Sequence, residues 1–182
     1  MSLREDARRQ LQAWSAPTTA EEALHTRFLD LLASTPDAMW RSAYPDHLTA
    51  GALVVDDGGD HVLLNLHRKA RRWFAFGGHA EPADATLFSV AAREAAEESG
   101  LGAAELTFAP EPLQLDVHPV PFCDPRGEVH HLDVRYGARA ADRSGERTST
   151  ESLDVRWWPV ADLPELEPSM LTLIARTRDR LC

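Results

Sequence analysis

The sequence predicts an α/β layered domain with helices at both ends. Three observations carry this. Strand-like runs lie on both sides of a central alanine-rich helix, residues 84–99. A Gly77-Gly78 turn leads from a strand toward that helix. Helical patterns open and close the chain. With 182 residues, 43% hydrophobic and 26% charged, the chain can bury a real core and suits one globular domain with added segments.

The elements follow in order. Ser2 with Glu5, and Thr19 with Glu22, are spaced as capping boxes. The first opens a short helix through about Trp14, which Pro17 stops. The second opens a helix whose Leu24, Phe28, Leu31 and Leu32 form an apolar stripe, and Pro36 ends it. Residues 1–40 are expected to be a helical N-terminal extension packed on the main domain as scaffold, because such stripes mostly bury. HLTAGALVV and HVLLNLH flank a turn at Asp56-Asp57-Gly58-Gly59-Asp60 and read as a hairpin over 47–67. RWFAF, at 72–76, is a short strand running into Gly77-Gly78. Gly100 is the expected terminator of the central helix. Residues 104–118 and 130–140 read as strands joined by the proline-rich stretch PVPFCDPRGE. Residues 153–159 form a further strand. A final helix over 168–181 carries Met170, Leu171, Ile174 and Leu181.

A net charge of −10 argues against a basic nucleic-acid-binding surface, and an anionic substrate would need metal ions at its site. The two cysteines, Cys123 and Cys182, form no CxxC pair, which disfavours a disulfide framework or a thiolate zinc site. Cys123 has no partner base in the sequence and is not read as a nucleophile. The N-terminus lacks an apolar leader core, and no run of 18 apolar residues occurs, so the reading is a cytoplasmic protein with no membrane partner.

The chemistry concentrates at Arg93-Glu94-Ala95-Ala96-Glu97-Glu98-Ser99-Gly100-Leu101. Glu94, Glu97 and Glu98 stand at i, i+3 and i+4, which brings them to one helical face. Magnesium needs such clustered oxygen donors. With Gly78 upstream, the stretch resembles the Nudix box, G-x5-E-x7-R-E-U-x-E-E-x-G-U, where U is aliphatic and Ala95 is the small U residue. Asp84 stands where the family has glutamate, and eight residues rather than seven separate it from Arg93. An extra residue inside a regular helix would rotate everything beyond it by about 100°, so it is placed in the loop or at the helix start. Asp84 then reads either as partner of Arg93 or as a helix N-cap.

The resemblance covers about 25 residues as a motif and implies a Nudix domain over about 45–165, with the segment 168–182 packed on it as a C-terminal helix. It implies an α/β/α sandwich with a mixed sheet. It implies Mg2+-dependent hydrolysis of a nucleoside diphosphate linked to another group, with Mn2+ as an alternative ion. Glu94 and Glu98 would be the strongest metal ligands, Glu97 would complete the set, and the Gly77 carbonyl would join them. Arg93 would orient a carboxylate. Homodimers are common in the family. The general base is open among Glu151, Asp154 and Glu128, each more readily an ordinary surface carboxylate, or Glu94 or Glu97 acting through a metal-bound water.

Outside the box, QLDVHPV and HHLDVRY alternate. If they pair so that His118 faces His131, then Asp116 faces Asp133, which makes either a hydrogen-bonded sheet face or a substrate or second metal site built on imidazole. His79 and Glu81 lie in the GGHAE loop, with His79 the better candidate to approach phosphates. His67, Arg68, Lys69, Arg71 and Arg72 form a basic cluster that either attracts phosphate or is a solvated loop. Trp157 and Trp158 read as core packing before base stacking. Two other readings stand beside the hydrolase. One is a catalytically weak nucleotide-binding or regulatory module on the same fold. The other is an isopentenyl diphosphate isomerase, which relies on a cysteine in a context that Cys123 does not reproduce.

Overall fold

The computed structural model describes every residue except Phe122 and Glu151. Four helices, α1 (Leu3–Ala13), α2 (Thr19–Ser34), α3 (Leu87–Ser99) and α4 (Pro168–Leu181), surround a mixed sheet. Its strands are β1 (Asp46–Asp56), β2 (His61–His67), β3 (Trp73–Phe74), β4 (Phe76–Gly78), β5 (Leu106–Phe108), β6 (Gln114–Pro119), β7 (His130–Ala140) and β8 (Ser152–Pro159). The long strands β1 and β7 run parallel, in register from Asp46↔His130 to Asp56↔Ala140. The other pairings are antiparallel: β2 and β4 on β1, β3 and β8 on β2, β5 and β6 on β7. The molecule is an α/β sandwich with helical additions at both ends.

Burial on both faces explains why β1 reads as an unbroken apolar run rather than an alternating one. Leu48, Ala50, Ala52 and Val54 join a core with α1, α2 and α3. Leu53 and Val55 point the other way, onto Met170, Leu173 and Ile174 of α4. Gly51 permits β4 to pair closely with β1, since a Cβ there would collide with the Phe76 carbonyl oxygen and meet the Gly77 Cα at 2.9 Å. Gly77 and Gly78, expected as a turn, are therefore part of β4 itself, paired with Gly51 and Ala50 of β1.

The N-terminal helices are tied to this core by polar contacts as well as apolar ones. Asp6, fully buried, accepts the Leu87 backbone N–H at 2.9 Å and so caps the start of α3 from α1. The Trp14 indole N–H donates to the Pro112 carbonyl at 2.8 Å, and the Tyr136 hydroxyl to Gln10 at 2.6 Å. Arg176 of α4 grips Glu21 of α2 with both terminal nitrogens, at 2.6 and 2.7 Å. Among the described residues no helix is long and apolar enough to cross a membrane.

Several sequence expectations shift. The cap of α2 is Thr18 with Glu21, one residue before the expected box. The strand expected over 104–118 breaks into a 3-10 turn at Ala103–Glu105, then β5 and β6, because Pro110 and Pro112 cannot donate to a ladder. The RWFAF strand divides at Ala75. The central helix starts at Leu87 with Thr86 as its N-cap, not at Asp84. On α4, Met170 and Ile174 are buried as expected, whereas Leu171 is exposed. The β6–β7 pairing does set His118 opposite His131 and Asp116 opposite Asp133.

Candidate active site

Helix α3 presents the box. Its capping box at Thr86 and Ser89 fixes the start, and Gly100, in the left-handed region at φ 75°, ends it. Arg93 is the hub of the face. Its guanidinium donates to Asp84 at 3.0 and 3.3 Å, to Glu94 at 3.0 Å, to Glu97 at 3.1 Å and to the His79 carbonyl at 2.8 Å. Burial pulls its pKa down, but the Asp84 hydrogen bond and the Glu94 charge outweigh burial and raise it, so the guanidinium stays charged. Asp84 thus keeps the bond to arginine that its shorter side chain and the extra residue had put in question. Held in a tight turn by the Glu81 N–H at 2.8 Å, it reaches Arg93 from the loop rather than capping the helix.

Glu98 is buried and accepts the Gly77 N–H at 3.1 Å and the Asn65 amide at 3.5 Å. Glu94 is mostly buried, and its carboxylate lies over Gly78, where a Cβ would stand only 2.6 Å from Oε1. Glu97 is the most exposed of the three. Gly78 therefore leaves room for the Glu94 carboxylate, and the donors are hard oxygens of the kind magnesium takes.

Gly77, Gly78 and Glu98 line a cavity of ≈ 880 Å³. Its walls also carry Arg41, His67, Arg68, Lys69, Arg72 and Arg135, which concentrates positive charge in an otherwise acidic molecule. The basic cluster is thus partly a cavity wall. Its Arg68 is anchored on the Thr150 and Ser152 carbonyls at 3.0 and 2.9 Å, and Arg72 pairs with Glu167 at 2.6 Å.

The histidines divide. On the β6–β7 face, Arg135 binds Asp133 and Asp116, each at 2.8 Å, and Asp116 holds His118 at 3.1 Å, so that part is a hydrogen-bonded polar face lining the cavity. His131 turns away from it toward His47, His79 and Cys123. Nε2 of His47 and of His79 lie 3.0 Å apart. The Cys123 Sγ is 3.4 Å from His131 Nε2, 3.7 Å from His79 Nε2 and 3.9 Å from His47 Nε2. Burial, then the neighbouring imidazoles, push His79 down to about 4 and His131 to about 2, and burial lowers His47 too, so all three are neutral at pH 7. Cys123, read from sequence as lacking a partner base, sits against three imidazoles. Without any CxxC pair, the fold still brings one thiol together with three imidazoles at this corner of the cavity. Neither His47 nor Arg41 was legible as a site residue, since each lies far in sequence from the box.

Glu81 is exposed and outside the cavity lining. Glu128 is exposed beside His130, and Asp154 is occupied by Arg156 at 2.7 Å. Neither lines the cavity. Glu151 lies outside the described residues. Trp157 and Trp158 pack in the two cores.

The profile of the NUDIX domain matches residues 45–177. The chain belongs to the Nudix family. Solved structures agree on the fold. The Nudix domain of NrtR from Shewanella oneidensis, complexed with ADP-ribose, is 24% identical, with a TM-score of 0.56 over 84% of this chain and 97% of its own. A Nudix-family hydrolase from Clostridium perfringens is 22% identical, with a TM-score of 0.55 over 74% and 95%. The Ap4A hydrolase of C. elegans is 17% identical, with a TM-score of 0.54 over 71% and 93%. No curated protein sequence matches the chain.

Proposed function

We propose that this Nudix protein is a magnesium-dependent pyrophosphohydrolase acting on a nucleoside diphosphate linked to another group, with manganese as an alternative ion. The observation that carries the reading is Glu98 of the α3 carboxylate face set with Gly77 and Gly78 in the wall of a large, basic-lined cavity, with Glu94 packed over Gly78. In this reading residues 1–40 are a supporting extension, 45–165 the catalytic domain and 168–182 a helix packed on it.

Glu94, Glu97 and Glu98 would hold the ion, with the Gly77 carbonyl as a further donor. Held there, the ion would supply positive charge to offset that of the phosphate oxygens and favour in-line attack by water. The chain's own residues do the rest. Arg93 holds Glu94 and Glu97 in place while tying the helix to the His79 loop and to Asp84. Arg41, Arg68, Lys69 and Arg72 draw the polyphosphate into the cavity, whose size suits a nucleotide-sized ligand. Asp154 and Glu128 are engaged at the surface, which favours a box glutamate as the group that takes the proton from water.

The test is a magnesium-dependent hydrolysis screen over nucleotide sugars, dinucleoside polyphosphates, oxidised nucleoside triphosphates and ADP-ribose, run beside Glu98→Gln. Turnover of one class, lost without magnesium and reduced at least a hundredfold in the variant, supports the enzyme. Ligand binding without turnover across the panel overturns it in favour of a nucleotide-binding module. Isomer interconversion without phosphate release would point to an isomerase.

A further inference from the structure

We propose that His47, His79, Cys123 and His131 form a second metal site, for a zinc-class ion, separate from the carboxylate face of α3. The four donors come from four segments: the start of β1, the loop after β4, the 120–129 loop and the start of β7. Their ligand atoms all lie within 4.8 Å of one another. A tetrahedral zinc site, with Zn–N of about 2.0–2.1 Å and Zn–S of about 2.3 Å, sets its ligand atoms roughly 3.3–3.6 Å apart. Four of the six separations, 3.0, 3.4, 3.7 and 3.9 Å, bracket that spacing, and the other two lie within 4.8 Å, so closing by up to about an ångström would seat an ion.

The hydrogen bonding around the cluster points the same way. His47 Nδ1 lies 3.1 Å from the Ala43 carbonyl, which can only accept, so Nδ1 carries the proton. In the neutral ring that leaves Nε2 bare, and Nε2 is the atom facing His79 and Cys123. A backbone carbonyl behind the ring is the usual support that fixes the tautomer of a metal-ligating histidine. Three imidazole nitrogens and one sulfur converge on this half-buried corner, where the contacts between them are single hydrogen bonds, His79 with His47 and Cys123 with His131. A cation satisfies all four at once, and binding would release the thiol proton of Cys123 to solvent.

Ligand chemistry separates the two sites. Thiolate and imidazole select zinc-class ions, whereas the carboxylates of α3 suit magnesium. Four protein ligands make a closed site, so its role is positional. It pins the 120–129 loop, where Arg41 already donates to the Cys123 carbonyl at 3.2 Å, and it fixes His79, whose own carbonyl receives Arg93. The zinc-class ion would thereby hold one wall of the cavity and one support of the box arginine.

The test uses the reduced full-length protein, its metal content measured as purified, then stripped and titrated with Co2+ alone. The expected result is one ion per chain and a thiolate-to-cobalt charge-transfer band. Cys123→Ser, close to isosteric, abolishes that band and weakens binding at least tenfold, and His131→Ala weakens it similarly. Cys182→Ser and Glu98→Gln leave the band unchanged. Absence of tight cobalt binding by the parent protein, persistence of the band in Cys123→Ser, or its loss in Cys182→Ser or Glu98→Gln would each overturn the proposal. Circular dichroism of each variant separates loss of the site from loss of the fold.

Discussion

Two glycines show how differently one methyl group weighs on fold and on site. At Gly78 the three atoms nearest an added Cβ all belong to the Glu94 carboxylate, at 2.6–2.9 Å, the far end of a flexible side chain. Gly78→Ala should therefore leave the melting temperature nearly unchanged while displacing Glu94 and lowering kcat at least tenfold. At Gly51 the obstacle is backbone, the Phe76 carbonyl and the Gly77 Cα, which cannot swing aside. Gly51→Ala should cost about 2–3 kcal/mol of stability, read from urea unfolding, because overpacking a rigid contact forces the strand to move. Equal effects of the two substitutions on stability would contradict this account. Neither contact was legible in the sequence, where Gly78 stood out only as part of the motif and Gly51 as one small residue in an apolar run.

At the scale of elements, the supports of α3 and the clasp between α2 and α4 can be tested separately. Asp6 caps α3 from another helix, and its removal leaves the Leu87 N–H buried without its acceptor. Asp6→Ala should lose about 1–3 kcal/mol in chemical unfolding. The Arg176 hydrogen bond holds Glu21 below its ordinary value of 4.5. A carboxylate depressed in the folded state contributes stability above its unfolded pKa and loses it as pH falls through the folded one. The α2–α4 clasp should thus weaken below about pH 4.5. Glu21→Gln should lower stability by about 1–2 kcal/mol at pH 7 and flatten the acid side of the stability profile. An unchanged pH profile in the variant would show the clasp to be inert. Local pattern made much of this level legible. The helix over 168–181 and the strand over 130–140 lie where periodicity puts them. The break between β5 and β6 was less legible, because strand-like residues continue on both sides of Pro110 and Pro112.

At the scale of the molecule, what could be read in advance depended on distance along the chain. The box was legible because its glutamates and arginine are nearly contiguous, and helical geometry alone gathers them on one face. The cluster of His47, His79, Cys123 and His131 was not, because its members converge only through tertiary pairing. The β1–β7 register sets His47 beside His131, and the pairing of β4 with β1 carries the His79 loop to them. A substrate assay supplemented with zinc as well as magnesium should therefore separate two dependences: catalysis abolished without magnesium, and a slower loss of cavity order after zinc is stripped, followed as increased proteolysis within 120–129.

The parallel pairing of β1 with β7 has a kinetic consequence. Its partners lie 84 residues apart in the chain at every rung, as Thr49 and Asp133 do, and β4, α3, β5 and β6 all fall inside the loop so closed. Such closure forfeits chain entropy before any contact rewards it, which slows folding. The pairing of His47 with His131 should thus be completed late, when the two central strands meet. Refolding should recover native sheet and hydrolytic turnover in a single slow phase, with helical signal returning earlier.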